Sequence, residues 1–92
     1  MEVYLKLGPP FNKLLNQERV RVNLSQNQAT FEEVLHKLYQ DYPGLLEKMQ
    51  EEGLLIKGKP RAILVVNGKL ASFTDIIEDQ SNIKLLTPLC GG

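Results

Sequence analysis

Residues 30–44 read TFEEVLHKLYQDYPG, and this stretch decides what kind of fold the chain takes. Thr30 is a good N-cap, and Glu33 stands three residues later, the spacing of a capping box. Phe31, Val34, Leu35, Leu38, Tyr39 and Tyr42 recur at helical spacing and share one face. Pro43 and Gly44 then stop the helix. A helix of about a dozen residues with a single apolar stripe needs a partner layer, and a sheet is the natural one.

The flanking sequence supplies that sheet. In EVYLKL, residues 2–7, Val3, Leu5 and Leu7 alternate with Glu2, Tyr4 and Lys6, the period of a half-buried strand. Gly8, Pro9 and Pro10 end it, and Phe11 to Leu15 allow one helical turn. RVRVNL, residues 19–24, alternates again, so the two strands should pair antiparallel. Downstream of the helix, AILVV is β-branched and bounded by turn signals. Asn67-Gly68 is a type I′ hairpin signal, because both positions must tolerate positive φ. Lys69 to Ser72 should return as a short strand, and NIKLL, residues 82–86, is the last one.

Two stretches fit this scheme less directly. LLEKMQEEG reads as a short second helix closed by Gly53, and LLIKGKPR mixes an apolar patch with a basic turn. Residues 46–60 are therefore expected to form a surface insertion. FTDIIEDQS reads as a turn-rich connection with a helical turn capped by Thr74. Pro88 lacks the donor needed inside a sheet, so the chain should leave it near Thr87. The expected architecture is an α+β roll: a mixed sheet with one main helix packed across it, a domain over residues 1–86, and a free, flexible tail over residues 87–92.

Composition narrows the function. At 92 residues the chain is one domain that buries about 60–70% of its unfolded surface. Eleven basic residues balance eleven acidic ones, which argues against nucleic acid as the main partner. No apolar run approaches the roughly 20 residues that span a bilayer. MEVYLKLG lacks the layout of a signal peptide. Cys90 is the single cysteine, so no intrachain disulfide forms. A cytoplasmic protein is expected.

Conventional catalytic sets are missing. His36 lies off the apolar stripe and reads as a solvated helix residue. One His and one Cys far apart in sequence do not make a metal site. Nor does a free tail hold Cys90 in the pocket that a Cys-His pair requires. Glu32-Glu33 and Glu51-Glu52 read as solvated faces, and Arg19 and Arg21 as solvating charges. The basic turn Lys57 to Arg61 reads as a solubilising loop, with orientation of an acidic partner as its alternative. No glycine-rich phosphate loop is followed by Lys and Ser/Thr.

What remains is the end, TPLCGG, residues 87–92. A carboxylate is a poor electrophile and needs activation before acyl chemistry. Joining it to AMP with loss of pyrophosphate provides a leaving group. The activating enzyme must enclose ATP and exclude water, so the terminus must thread into a confined site. Glycine suits this because it lacks Cβ and lets other atoms approach closely. Gly91 and Gly92 would thread, while Thr87, Pro88, Leu89 and Cys90 would be gripped by a partner as an added extended segment.

The chain resembles the ubiquitin-like β-grasp sulfur carriers, especially the MoaD family, the small subunit of molybdopterin synthase. The likeness rests on VYLKL, the T-F-E-E-V-L start of the helix and its Tyr42-Pro43-Gly44-Leu45 end, Val66-Asn67-Gly68, and LLTPLCGG. It covers nearly the whole chain except residues 46–60. The chain departs from the family at Glu78-Asp79-Gln80-Ser81-Asn82, where an acidic-glycine-acidic turn is common. Pro88 follows Thr87, where two prolines are common. PFNKLLNQ, with Lys13, stands where an arginine-bearing segment is common, and Cys90 is not typical of the tail.

The resemblance implies a sulfur carrier, not an enzyme by itself. A ubiquitin-activating-type enzyme would adenylate Gly92 with ATP, and a sulfur donor protein would convert it to a thiocarboxylate. The molybdopterin synthase large subunit would then receive the tail, for molybdenum or tungsten cofactor synthesis. Gly92 would be the acyl carrier, Gly91 its slim neighbour, and Pro88 and Leu89 the docking stretch. No bound cofactor, metal, nucleic acid or membrane is implied. Cys90 would be a small apolar channel residue or, on a sharper reading, a thiol able to capture the thiocarboxylate. Two alternatives share the activated terminus: a ubiquitin-like modifier joined to lysines through Gly92, and a thiamine-pathway sulfur carrier, whose chains are usually shorter. A plain interaction module of the same fold is the third.

Overall fold

The computed structural model describes residues 1–87. The chain runs β1 (Glu2–Leu7), α1 (Phe11–Leu15), β2 (Arg19–Asn23), β3 (Gln28–Thr30), α2 (Phe31–Asp41) and α3 (Leu45–Glu51). It continues β4 (Leu55–Ile56), β5 (Lys59–Pro60), β6 (Ile63–Val66), β7 (Lys69–Ala71), β8 (Ile76–Glu78) and β9 (Asn82–Leu86). Among the described residues, five strands form one sheet in the order β2-β1-β9-β6-β7.

The sheet is mixed, as expected from the sequence. β1 pairs antiparallel with β2, placing Val3 opposite Val22 and Leu5 opposite Val20. On its other side β1 runs parallel to β9, with Leu5 opposite Ile83 and Leu7 opposite Leu85. The first and last strands thus lie side by side at the centre, and β9 is hydrogen-bonded on both edges, to β1 and to β6. Alternate residues of β1, β2 and β9, with Leu64 of β6, turn apolar side chains to one face. Val3, Leu5, Leu7, Val20, Val22, Leu64, Ile83 and Leu85 are all buried on the inner face.

Helix α2 closes that face. Phe31, Val34, Leu35 and Leu38 are buried, and Tyr39 packs against the cluster half-buried. Burying each large aliphatic or aromatic side chain contributes about 1.5–3 kcal/mol. The ring of Phe31 meets Phe73 edge-on at 5.1 Å between centroids. The capping box is present: the Thr30 hydroxyl accepts from the Glu33 N–H, and the Glu33 carboxylate accepts from the Thr30 N–H at 3.0 Å.

Some segments differ from the sequence reading. No helical turn begins at Thr74. Ile76–Glu78 is a strand that pairs antiparallel with Gln28–Thr30, so Thr30 ends one strand and caps the next helix. The reason is visible in burial: Ile77 is buried while Ile76 and Glu78 face solvent, the alternation of a strand only three residues long. Asp75, not Thr74, organises the preceding turn, its carboxylate accepting from the Ser72 N–H at 2.8 Å. Residues 46–60 are only partly a surface insertion. Helix α3 carries Met49 into the core, and Pro60 on β5 is buried, while Ile56 and the Lys57-Gly58 turn of the β4–β5 hairpin remain exposed.

The candidate functional site: the tail exit and the outer sheet face

The C-terminal end of β9 is held by the turn that follows β1. The Gly8 N–H donates to the Leu85 carbonyl at 2.9 Å. The Thr87 hydroxyl donates to the Pro9 carbonyl at 2.8 Å. A Cβ on Gly8 would lie 3.2 Å from Leu86 Cδ2 and 3.3 Å from the Leu85 carbonyl oxygen, so a larger residue would press both neighbours aside by a few tenths of an ångström. Thr87 is therefore the last anchored position described, half-buried at the end of a central strand. Pro88, Leu89, Cys90, Gly91 and Gly92, the other site residues read from the sequence, lie outside the described residues.

The opposite end of β9 is fixed as firmly. Asn67 sits in the β6–β7 turn at φ +50°, followed by Gly68 at φ +84°, the left-handed pair that the Asn-Gly signal implied. Asn67 Oδ1 accepts from the Asn82 N–H at 2.8 Å, and the Asn67 N–H donates to the Asn82 carbonyl at 2.8 Å. One residue thus shapes a hairpin and sets where the final strand begins. Ser81, almost fully buried, donates its hydroxyl to the Glu78 carbonyl at 2.7 Å. Gln80 takes φ +66° in the segment where the family pattern commonly has a glycine.

The outer face of the sheet divides in two. Across β2, β1 and β9 it presents Arg19, Arg21, Lys6 and Lys84, with Tyr4 and Asn82 between them. Across β9, β6 and β7 it presents Leu86, Ile63, Val65 and Leu70, of which Leu70 is 79% exposed. At the far edge Arg21 lies 3.7 Å from the Glu2 carboxylate. The Tyr4 hydroxyl donates to Glu2 Oε1 at 2.6 Å, with Gln80 Oε1 2.9 Å away. That bond to Glu2, followed by desolvation, raises the Tyr4 pKa, so the phenol stays protonated. Asp79 accepts from the Glu2 N–H at 2.7 Å, which lowers its pKa.

Reading by sequence recognised Arg19 and Arg21 as outward-facing but passed over Lys6, Lys84, Ile63 and Leu70. Each sits at an outward position of an alternating strand, so its direction was legible. Its neighbours were not, because they depend on the strand order. His36 is exposed, with Nε2 3.2 Å from Gln40 Nε2. Lys59, from the basic turn, reaches 4.0 Å from the Glu32 carboxylate, a weak surface contact. Among the described residues no three His, Cys, Asp or Glu side chains group to hold a metal ion, and no helix is long and apolar enough to cross a membrane.

A mixed sheet with adjacent parallel first and last strands, one main helix across it, and a chain end leaving from the central strand define the ubiquitin-like β-grasp class. The ThiS family model matches residues 10–92, and the chain belongs to this family of small ubiquitin-fold proteins, sulfur carriers or modifiers rather than catalysts. Solved structures agree on the fold. Small archaeal modifier protein 1 from Haloferax volcanii is similar at TM-score 0.77 and 22% identity, with all of both chains covered. A putative molybdopterin converting factor subunit 1 from Pyrococcus furiosus is similar at TM-score 0.71 and 19% identity, over 97% of this chain and 99% of that one. A chain from the complex of molybdopterin-converting factor subunits 1 and 2 of Helicobacter pylori is similar at TM-score 0.56 and 20% identity, with full coverage of both. No curated protein sequence matches the chain.

Proposed function

We propose that the chain is a sulfur carrier whose Gly92 carboxylate is adenylated and converted to a thiocarboxylate for sulfur transfer in molybdopterin synthesis. The observation that carries this reading is the anchored exit. The central strand ends at Leu86, and the Thr87 hydroxyl just beyond it is fixed to the Pro9 carbonyl of the β1–α1 turn. Membership of the ThiS family and the likeness to molybdopterin converting factor subunit 1 support it.

The chemistry divides between chain and partners. The Gly92 carboxylate attacks the α-phosphorus of ATP in an adenylating enzyme, and pyrophosphate leaves. A sulfide equivalent from a donor protein attacks the acyl carbon, AMP leaves, and the terminus becomes a thiocarboxylate. The large synthase subunit then takes the tail into its active site, where the sulfur passes to a pterin precursor and the terminus returns to a carboxylate. The subunit 1–subunit 2 complex known for the Helicobacter pylori protein supports a partner of that kind. The chain's own contribution is geometric. Gly91 and Gly92 present a carbonyl without side chains beside it, and Thr87 to Cys90 form the stretch a partner grips. The chain binds no cofactor of its own, and these steps belong to the cytoplasm.

A second reading has an observation of its own. The similarity to small archaeal modifier protein 1 favours attack on the same adenylate by a lysine amine, giving an isopeptide bond. The thiamine-pathway carrier shares every step up to the thiocarboxylate. Incubation with the adenylating enzyme and labelled pyrophosphate tests the common step: exchange into ATP is expected with the full chain and not after deletion of Gly91 and Gly92. Exchange that survives the deletion refutes the reading. Conjugates in cells that resist denaturation and reductant indicate the modifier, and a terminal sulfur-for-oxygen mass change without conjugates indicates the carrier.

A further inference from the structure

The five-stranded sheet ends in β2 on one side and β7 on the other, and the two edges are unequal. The Leu7 N–H donates to the Glu18 carbonyl at 2.8 Å, and the Leu24 N–H to the Met1 carbonyl at 2.8 Å. In an antiparallel ladder the bonded pairs alternate, so Val20 and Val22 are the residues of β2 that bond to β1. The N–H and C=O groups of Arg19, Arg21 and Asn23 therefore point away from the sheet, and no described strand lies beyond them. On β7, only three residues long, the Asn67-Gly68 turn makes Val66 and Lys69 a bonded pair and leaves Leu70 alone pointing its backbone groups outward. Edge strands are commonly kept short, bulged or broken by proline. β2 is five residues long, carries no proline and pairs in unbroken register. Charge is its protection. Arg19 stands opposite Lys6 and Lys6 opposite Lys84, so a row of cations ends at this edge. Arg21 has the Glu2 carboxylate at 3.7 Å, while among the described residues no carboxylate lies within 4.0 Å of Arg19. On the helix side the edge opens into a groove of about 680 Å³ whose walls include Leu24, Gln26, Glu32, Glu33, His36 and Lys37.

We propose that the free edge of β2 receives an extended segment of another protein as an added strand, with carboxylates at alternate positions and apolar residues between them. In strand addition the backbone bonds give affinity and the alternate side chains give selectivity. Arg19 and Arg21 are two residues apart and turn to the same face, so carboxylates two residues apart on the incoming strand stand beside them. The residues between turn to the helix side, where half-buried Leu24 and the stem of Lys37 offer apolar contact. The groove wall itself carries both signs of charge, so the outer side sets the preference for an acidic segment. A second copy does not fit. Two β2 edges paired about a two-fold axis at Arg21 oppose its guanidinium to its twin, and a β7 edge brings Lys69. A nucleic acid has no amide ladder to offer these groups. β1 separates β2 from β9, so the added strand leaves the end of β9 free, and the proposal holds whatever the chain end carries.

The test uses the full chain, residue-resolved amide hydrogen exchange and, as probe, a synthetic peptide of alternating glutamate and valine with blocked ends. In the chain alone the Arg19, Arg21 and Asn23 amides should exchange faster than those of Val20 and Val22. At about 1 mM peptide the three edge amides should slow about tenfold or more, with Leu70 unchanged. The same peptide N-methylated throughout keeps its charges but cannot donate to a ladder, and it should protect none of them. Arg19→Glu/Arg21→Glu should lose protection by the glutamate peptide and gain it from a lysine-valine peptide, while unchanged protection of Val20 and Val22 shows that the variant is folded. No slowing with the glutamate peptide overturns the proposal, as does equal slowing by the methylated peptide or slowing at Leu70 in place of Arg21. So does protection that survives charge reversal, that rises with the chain's own concentration in the absence of peptide, or that is stronger with a single-stranded RNA oligonucleotide.

Discussion

The two faces of the five-stranded sheet are built from alternate residues of the same strands and yet differ in character. The inner face is uniformly apolar and covered by α2. The outer face is split between cations and exposed aliphatics, and Leu70 on it is 79% exposed. The inner face obeys the rule that apolar surface should leave water. The outer face breaks two rules at once, with like charges opposed and large aliphatics left wet. Departures of this kind concentrate where a molecule meets something else. The tail leaves from β9, the strand that contributes to both halves of the outer face.

Substitutions that treat the faces alike sharpen the contrast. Phe31→Ala on the inner side should cost about 3–5 kcal/mol in urea unfolding, since the ring is fully buried against Phe73. Leu70→Ala on the outer side should move stability by no more than about 0.5 kcal/mol. Comparable losses at both positions would erase the distinction between a folding face and a meeting face.

The junction between the faces and the tail should respond in between. Gly8→Ala should lose about 1–2 kcal/mol, because its N–H ties it to the Leu85 carbonyl while the new methyl presses on Leu86. An unchanged midpoint in the same unfolding assay would show that this turn can yield. Thr87→Val should cost less than about 1 kcal/mol, since its one hydrogen bond is solvent-exposed. It should nevertheless slow adenylation if the latch aims the tail; an adenylation rate equal to the wild type's would reduce Thr87 to a bystander.

The smallest effect is a pH effect at the sheet's far edge. The Glu2 N–H bond holds the Asp79 carboxyl below its ordinary value. A depressed folded-state pKa means that the stabilisation is fully present above the unfolded value and is lost as pH falls through the folded one. Asp79→Asn should therefore flatten the acid end of the stability profile by lowering stability at neutral pH, with the two proteins converging as pH falls. A profile that keeps its full acid slope would assign that slope to other carboxylates.

Much of this was legible from the residues. Alternation located β1 and β2, the β-branched run AILVV located β6, and Thr30 with Glu33 located the start of α2 to the residue. Asn67-Gly68 announced its hairpin. The β3–β8 pair was not visible, because three residues give too little alternation, and only the pairing of Ala29 with Ile77 reveals it. Met49 looked like part of an insertion because its helix is short and carries Glu47, Lys48 and Glu51, and α3 packs beside α1, a contact the sequence does not reveal. The cation row was invisible for a different reason. Lys6, Arg19 and Lys84 are distant in sequence, and only the β2-β1-β9 order makes them neighbours. The tail's residue types were legible, while the latch from Thr87 to Pro9 needed coordinates.

Intact-protein mass spectrometry, with fragmentation to locate any change, on chain purified from its own cells tests the central claim most directly. A sulfur-for-oxygen increase confined to Gly92 is the result expected of a terminus that carries activated sulfur. An unaltered terminus, in cells whose growth is indifferent to loss of Gly91 and Gly92, contradicts it.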